Sequence, residues 1–232
     1  MALIKSISGI RGTIGGHPGD SLTPIDVVKF SAAFGSILCE KNANAKVVIG
    51  RDGRISGTMV SQLVVNTLIG LGINVIDLGL STTPTVEIAT KAEGATGGII
   101  ITASHNQKEW NALKLLDSEG EFIDAATGQE VLRRANESAI NFSPVEKLGC
   151  VIANDDYLQK HIQLVLNYPL VNKEIIAEKK FKVAVDCINS TGALVVPQLL
   201  RELGVEEVVV LNGEVNGKFA HNPEPIPNIL PR

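Results

Sequence analysis

Gly98-Ile99-Ile100-Ile101-Thr102-Ala103-Ser104-His105-Asn106 is the stretch on which the fold turns. Three consecutive isoleucines between glycine and a polar run predict a buried strand, since β-branched residues suit a sheet covered on both faces. Thr102 to Asn106 then begins where that strand ends. In open α/β sheets, ligands bind outside the carboxyl ends of the strands. A hydroxyl beside an imidazole in that place is a nucleophile with an acid/base neighbour. The same triplet also serves as ordinary turn and cap chemistry. The chain continues through Gln107-Lys108-Glu109-Trp110-Asn111-Ala112-Leu113-Lys114, which returns a lysine toward the serine.

Outward from this strand, helix and strand signals alternate. Thr23-Pro24-Ile25-Asp26 combines a threonine cap, a proline at the first helical position and an early acid. Val27, Phe30, Phe34, Ile37 and Leu38 follow at helical spacing and predict a face turned to a sheet. Strands are predicted over 46–50 and 74–78, helices over 56–71 and 84–92. A short strand over 113–116 and a helix over 124–139, with Val131 and Leu132 inward, complete the unit. Such alternation implies a mixed, mainly parallel sheet with helices on both faces. The register changes between Asn141 and Asp156, so a first domain over 1–150 and a second unit over 151–232 are expected. That second unit has linker helices, a strand over 182–186, a helix over 194–203 and a strand over 208–211. One β-α-β with a proline-rich tail (Pro223, Pro225, Pro227, Pro231) is little for a free-standing sheet.

Composition narrows the function. A content of 44% hydrophobic but only 4% aromatic residues requires an aliphatic core. The net charge of −4, with no basic patch interleaved with aromatics, argues against nucleic acid. Neither a signal peptide nor an uninterrupted apolar span is present, so no membrane partner and a cytoplasmic location are expected. Three scattered cysteines, Cys39, Cys150 and Cys187, fit reduced thiols better than disulfides or zinc.

Serine hydrolysis calls for a Gly-x-Ser-x-Gly turn, and both glycines are missing around Ser104. Phosphoryl transfer through a phosphoserine is the better chemical reading. His105 titrates near neutrality and can serve a sugar hydroxyl as acid or base; it can equally satisfy a loop carbonyl. Lys114 can neutralise phosphate or move a proton, although an isolated strand lysine is commonly just exposed. Arg11, flanked by Gly9 and Gly12, can grip phosphate with paired donors, or merely decorate a turn. Arg51, Asp52 and Arg54 read as ion pairs bracing loops first and as substrate contacts second. Gly213 to Lys218 is one residue short of a Walker loop and has no hydroxyl residue after the lysine. Gly70 and Gly72 close a helix, and Asp186 reads as a lone strand-end acid.

Thr102-Ala103-Ser104-His105-Asn106, with Lys114, resembles the phosphoserine loop of the alpha-D-phosphohexomutase superfamily. Ser8-Gly9-Ile10-Arg11-Gly12 and Gly50-Arg51-Asp52-Gly53-Arg54-Ile55-Ser56-Gly57 resemble its first two loops, in the same order. Val183 to Gly192 resembles the opening of its second domain, and Asn216 to Pro225 the approach to its metal loop. The start and the Trp110–Lys114 segment are most similar to the phosphoglucosamine mutase branch. Phosphomannomutase or phosphoglucomutase activity, or a non-catalytic phosphosugar-binding module, stays open beside it. The resemblance implies phosphate moving between O6 and O1 of a hexose or hexosamine phosphate, through phosphoserine and a sugar bisphosphate that also acts as activator. It assigns catalysis to Ser104, His105, Lys114 and Arg11, and substrate contact to Asn106. It also implies Mg2+ held by Ser104 through its phosphate. The Asp-x-Asp-x-Asp loop that completes the family's cation site is absent from this sequence, as are counterparts of its third and fourth domains. The expectation is therefore the front portion of an enzyme, inactive by itself.

Overall fold

Helix α1 (Pro24–Lys41) begins as its sequence dictates. The Thr23 hydroxyl caps the Asp26 amide while the Asp26 carboxylate accepts the Thr23 N–H at 3.1 Å, closing a capping box. In this computed structural model, which describes residues 2–6, 9–137, 140–154 and 156–224, the apolar stripe of α1 is buried from Val27 to Leu38. Before it come two strands that sequence patterning did not reveal, β1 (Leu3–Ser6) and β2 (Gly9–Thr13). After it follow β3 (Lys46–Arg51), α2 (Gly57–Gly70), β4 (Asn74–Leu80), α3 (Thr83–Ala92) and β5 (Gly97–Ile101). Strand β6 (Trp110–Leu116) is three residues longer at its start than expected, and α4 (Ala125–Glu137) follows. Helix α2 ends in a Schellman turn at Gly72, whose φ is +82°, with the Ile73 N–H reaching the Leu68 carbonyl.

The first sheet has the order β1-β2-β6-β5-β3-β4-β7, where β7 is Val151–Ala153. Strands β5, β3, β4 and β7 pair in parallel; β6 is antiparallel to β5 and β2, and β1 is antiparallel to β2. Five strands thus share one direction, and the sheet is mixed and mainly parallel. One face packs Phe30, Phe34, Val64, Leu68 and Val131 of α1, α2 and α4 over Val47, Ile49, Ile99 and Ile101. The other packs Val86 and Ala89 of α3 over Val48, Ile76 and Ile100. Gly9 is required where β2 meets β6. Its φ is +124°, and a Cβ there would sit 2.2 Å from the Leu113 carbonyl oxygen.

Helices α5 (Tyr157–Leu166), α6 (Lys173–Glu178) and α7 (Gly192–Glu202) belong to the second unit with β8 (Lys182–Asp186) and β9 (Glu207–Leu211). The two strands form their own parallel pair. Strand β7 lies just past the expected boundary after residue 150, yet it is the last strand of the first sheet. Asp156 is the N-cap of α5, without a side-chain cap hydrogen bond. Ser8, Asp155, the last two residues of the helix expected to reach Ala139, and the chain from Pro225 onward lie outside the described residues. No helix among the described residues is long and apolar enough to cross a membrane.

Candidate active site

Residues 102–109 leave β5 and return into β6, its antiparallel neighbour, so both ends of the loop are fixed by one sheet. The Thr102 hydroxyl donates to Asp52 Oδ2 at 2.6 Å and accepts the Ser104 N–H at 3.0 Å. Ser104 itself sits at φ +57°, in the left-handed region that L residues other than glycine and asparagine seldom adopt. Such backbone clusters at functional sites. The Ser104 and His105 side chains are exposed at the carboxyl edge of the sheet, and Asn106 is half-buried with its N–H on the Ala103 carbonyl.

Beneath this loop lies Arg54, whose side chain has no exposed surface. Its Nε donates to Asp52 Oδ2 at 3.0 Å. Nη1 donates to the carbonyls of Gln107 and Trp110 at 2.7 and 2.9 Å. Nη2 donates to those of Ser104 and Asn106 at 3.0 and 2.7 Å. Burial pulls the guanidinium pKa down, while the Asp52 charge and hydrogen bond oppose that. The ion pair expected from sequence is present; the four carbonyls come from residues about fifty positions later and carried no signal there.

Arg11 lies opposite Ala112 and shares a sheet face with Lys114, two residues further along β6. That face is the one covered by α3, and it also carries Ile100, the pairing partner of Lys114. Arg11 is exposed and Lys114 half-buried. Burial lowers the Lys114 pKa; Glu87 of α3 and Asp52 push it up, and Arg11 adds to the lowering. Glu87 is in turn raised by burial against the pull of Lys114. Arg11 and Asp52 thus both act electrostatically on Lys114. His105 is exposed.

The second unit closes the flank. The Ser190 hydroxyl accepts the Gly53 N–H at 3.1 Å. Gly217, at φ +69°, comes so close that a Cβ would lie 2.2 Å from the Gly53 carbonyl oxygen. The Phe219 ring stacks on the Arg54 guanidinium at 5.1 Å. A cleft of about 310 Å³ runs between Gln107-Lys108-Glu109 and Phe219, His221, Asn222 and Pro223. Asp186 is not the lone acid its sequence suggests. Burial, the largest influence on its pKa, raises it, but hydrogen bonds from Asn212, the Ile188 N–H and His221 bring it below its ordinary value. His221 is raised, first by its Nδ1 contact to the Asn222 carbonyl and then by Asp186 at 2.9 Å.

The donor set does not by itself fit Mg2+. No group of three or more His, Cys, Asp or Glu able to hold a cation occurs among the described residues. Asp52, the carboxylate under the serine loop, is committed to Arg54 and Thr102. A larger cavity of about 500 Å³ lies by Cys39, Glu40, Arg133 and Arg134, at the end of α1 that feeds the amino-terminal edge of β3. Arg134 is there paired bidentately with Glu40, and Arg133 with Glu130 and Glu137.

A three-layer α/β domain thus presents a serine loop at its carboxyl edge and is joined to a second α/β unit. The family model described as phosphoglucomutase/phosphomannomutase, alpha/beta/alpha domain I, matches residues 3–141. That for domain II matches residues 155–231. The chain belongs to the phosphoglucomutase/phosphomannomutase family. It is 35% identical over 97% of its length to a phosphoglucomutase/phosphomannomutase of Thermococcus kodakarensis, covering 48% of that protein. It is 32% identical over 97% of its length to a phosphoglucosamine/phosphogalactosamine mutase of Sulfurisphaera tokodaii, again covering 48%. The chain therefore spans about half the length of the curated relatives it matches. A putative phosphomannomutase from Thermus thermophilus shares the fold with a TM-score of 0.81 at 23% identity, over 98% of this chain and 50% of that one.

Proposed function

We propose that this chain is the phosphoserine-bearing portion of a phosphohexose mutase, most similar in role to a phosphoglucosamine mutase. The carrying observation is Ser104, held exposed in left-handed backbone just past β5, whose antiparallel neighbour β6 carries Lys114 and pairs with the strand of Arg11. In this reading a sugar bisphosphate first supplies the phosphate on Ser104. The sugar hydroxyl oxygen then attacks phosphorus, the P–O bond to Ser104 Oγ breaks, and the hydroxyl proton leaves to a base. Lys114, whose acidity burial increases, is suited to take that proton or to return one to Oγ. Arg11 counters the phosphoryl charge, and Asn106 and His105 meet the sugar at the loop rim. After the bisphosphate turns over, the second half runs the transfer backward from the other oxygen. Residues through β7 would form the serine-loop domain, and the chain from residue 155 onward part of the next. Relatives named for both phosphoglucosamine and phosphoglucose or phosphomannose chemistry leave the sugar to be chosen by assay.

Intact-mass analysis and peptide mapping of the protein from its own host are expected to find phosphate on Ser104. Turnover of hexosamine and hexose 6-phosphates by the native gene product, with magnesium and a bisphosphate primer, should fall by at least about a thousandfold in Ser104→Ala. Phosphate found reproducibly on another serine, with full activity in Ser104→Ala, would end this reading.

A further inference from the structure

We infer that Arg54 is the positioning residue for Ser104: it acts through the loop backbone and never touches substrate. The inference rests on the phosphoserine reading for its catalytic half and on hydrogen-bond geometry for its structural half. A guanidinium has five N–H donors in one plane. All five are used here, one on Asp52 and four on the carbonyls of Ser104, Asn106, Gln107 and Trp110. These four carbonyls span the loop from its serine to the first residue of β6. The guanidinium that meets these carbonyls is itself buried, so each of them is satisfied from beneath the loop. Buried carbonyls without donors are costly, so the conformation is sustained only while a multiply donating group sits beneath.

The same group connects the loop to everything around it. Asp52 holds Arg54 Nε and also the Thr102 hydroxyl, which accepts the Ser104 amide. Both sides of the Ser104 peptide unit are therefore set by one Arg54–Asp52 pair. Phe219 covers the guanidinium from the second unit. Because Oγ is attached to a residue whose φ would relax on losing these bonds, the direction of the phosphate relative to Lys114 and Arg11 depends on Arg54. Lysine cannot substitute, since an ammonium has three donors and no planar fork.

The test compares Arg54→Lys with Leu68→Ala, a core variant of α2 outside the loop that lowers stability by cavity formation. In the native gene product at a temperature where both are folded, Arg54→Lys should lose about a hundredfold in kcat, the scale of an ångström misplacement, with KM within about threefold. Leu68→Ala should leave kcat and KM within about twofold at comparable loss of Tm. Independently of activity, hydrogen exchange at amides 104–110 should quicken at least about tenfold in Arg54→Lys while the amides of β3 stay as slow as in Leu68→Ala. Unchanged exchange in the loop overturns the inference whatever the kinetics. Quickened exchange with kcat no lower than that of Leu68→Ala overturns the positioning role. Should Ser104→Ala remain active while the loop loosens in Arg54→Lys, the phosphoserine reading has failed and the clamp stands only as structure.

Discussion

Strands β5 and β9 are both short and apolar, Gly97-Gly98-Ile99-Ile100-Ile101 and Glu207-Val208-Val209-Val210-Leu211, yet every residue of β5 is buried and none of β9 is. Composition put both segments in sheets; neighbours decided how much water each lost. Strand β5 has β3 and β6 beside it and helices on both faces. Strand β9 has one partner, β8, and α7 against one face. On the other face Val209 and Leu211 stay 44% and 50% exposed. The first unit therefore supplies its own hydrophobic stabilisation. The second leans on it, through Tyr157 to Glu93, His161 to Thr85 and Ser190 to Gly53, with only a small apolar cluster around Ile162, Leu166 and Val195 of its own.

The contrast is sharpest for truncation. Phe34→Ala removes a ring fully enclosed by α1 and the sheet and should cost about 3–5 kcal/mol in denaturant titrations. A loss below about 1 kcal/mol would mean that the first core is loosely packed.

A smaller effect is expected from the pH dependence of the Asp186–His221 pair in the second unit. The pKa of His221 is raised in the folded state, so its contribution is complete below its ordinary 6.5 and disappears as pH climbs through the raised value. Asp186 is lowered, so its contribution holds above 3.8 and is lost as pH falls through the lower value. Hydrogen exchange of β8 and β9 amides, corrected for intrinsic rates, should quicken as pH rises above 6.5 through the raised His221 pKa while that of β3 does not. His221→Gln should flatten the dependence; an equal response in β3 would show that the two units open together.

The smallest expected effect completes the comparison. Val209→Thr, on the exposed face of β9, should change stability by no more than about 0.5 kcal/mol. A cost above about 2 kcal/mol would show that this face is covered in solution.

Much of the first unit was legible because β-branched runs and helical stripes repeat in a fixed order, as Thr23-Pro24 with Phe30 and Phe34 illustrates. The edge strands were not. Three of the four residues of β1 are exposed, and all three of β7, so neither carries the alternation that marks a half-buried strand. At the proposed site, Ser104, Lys114 and Arg11 were singled out by the family resemblance, since residue type and place alone fit a turn, an exposed strand lysine and a surface arginine as well. Arg54 was legible only as the partner of Asp52, since its other partners are main-chain carbonyls, which every residue possesses and no sequence pattern distinguishes. Nor did any pattern mark Phe219, whose ring meets a charge 165 positions earlier. Asp186 looked alone because His221 lies 35 residues on.

The left-handed serine has a consequence for how this sequence can drift. At φ +57° a glycine would be freer of steric cost than any residue with a Cβ. Substitutions that favour the fold at position 104 therefore remove the hydroxyl, so stability and chemistry pull that codon in opposite directions. An engineer seeking heat tolerance would be drawn to this residue early. The loop keeps its serine against the preference of its own backbone.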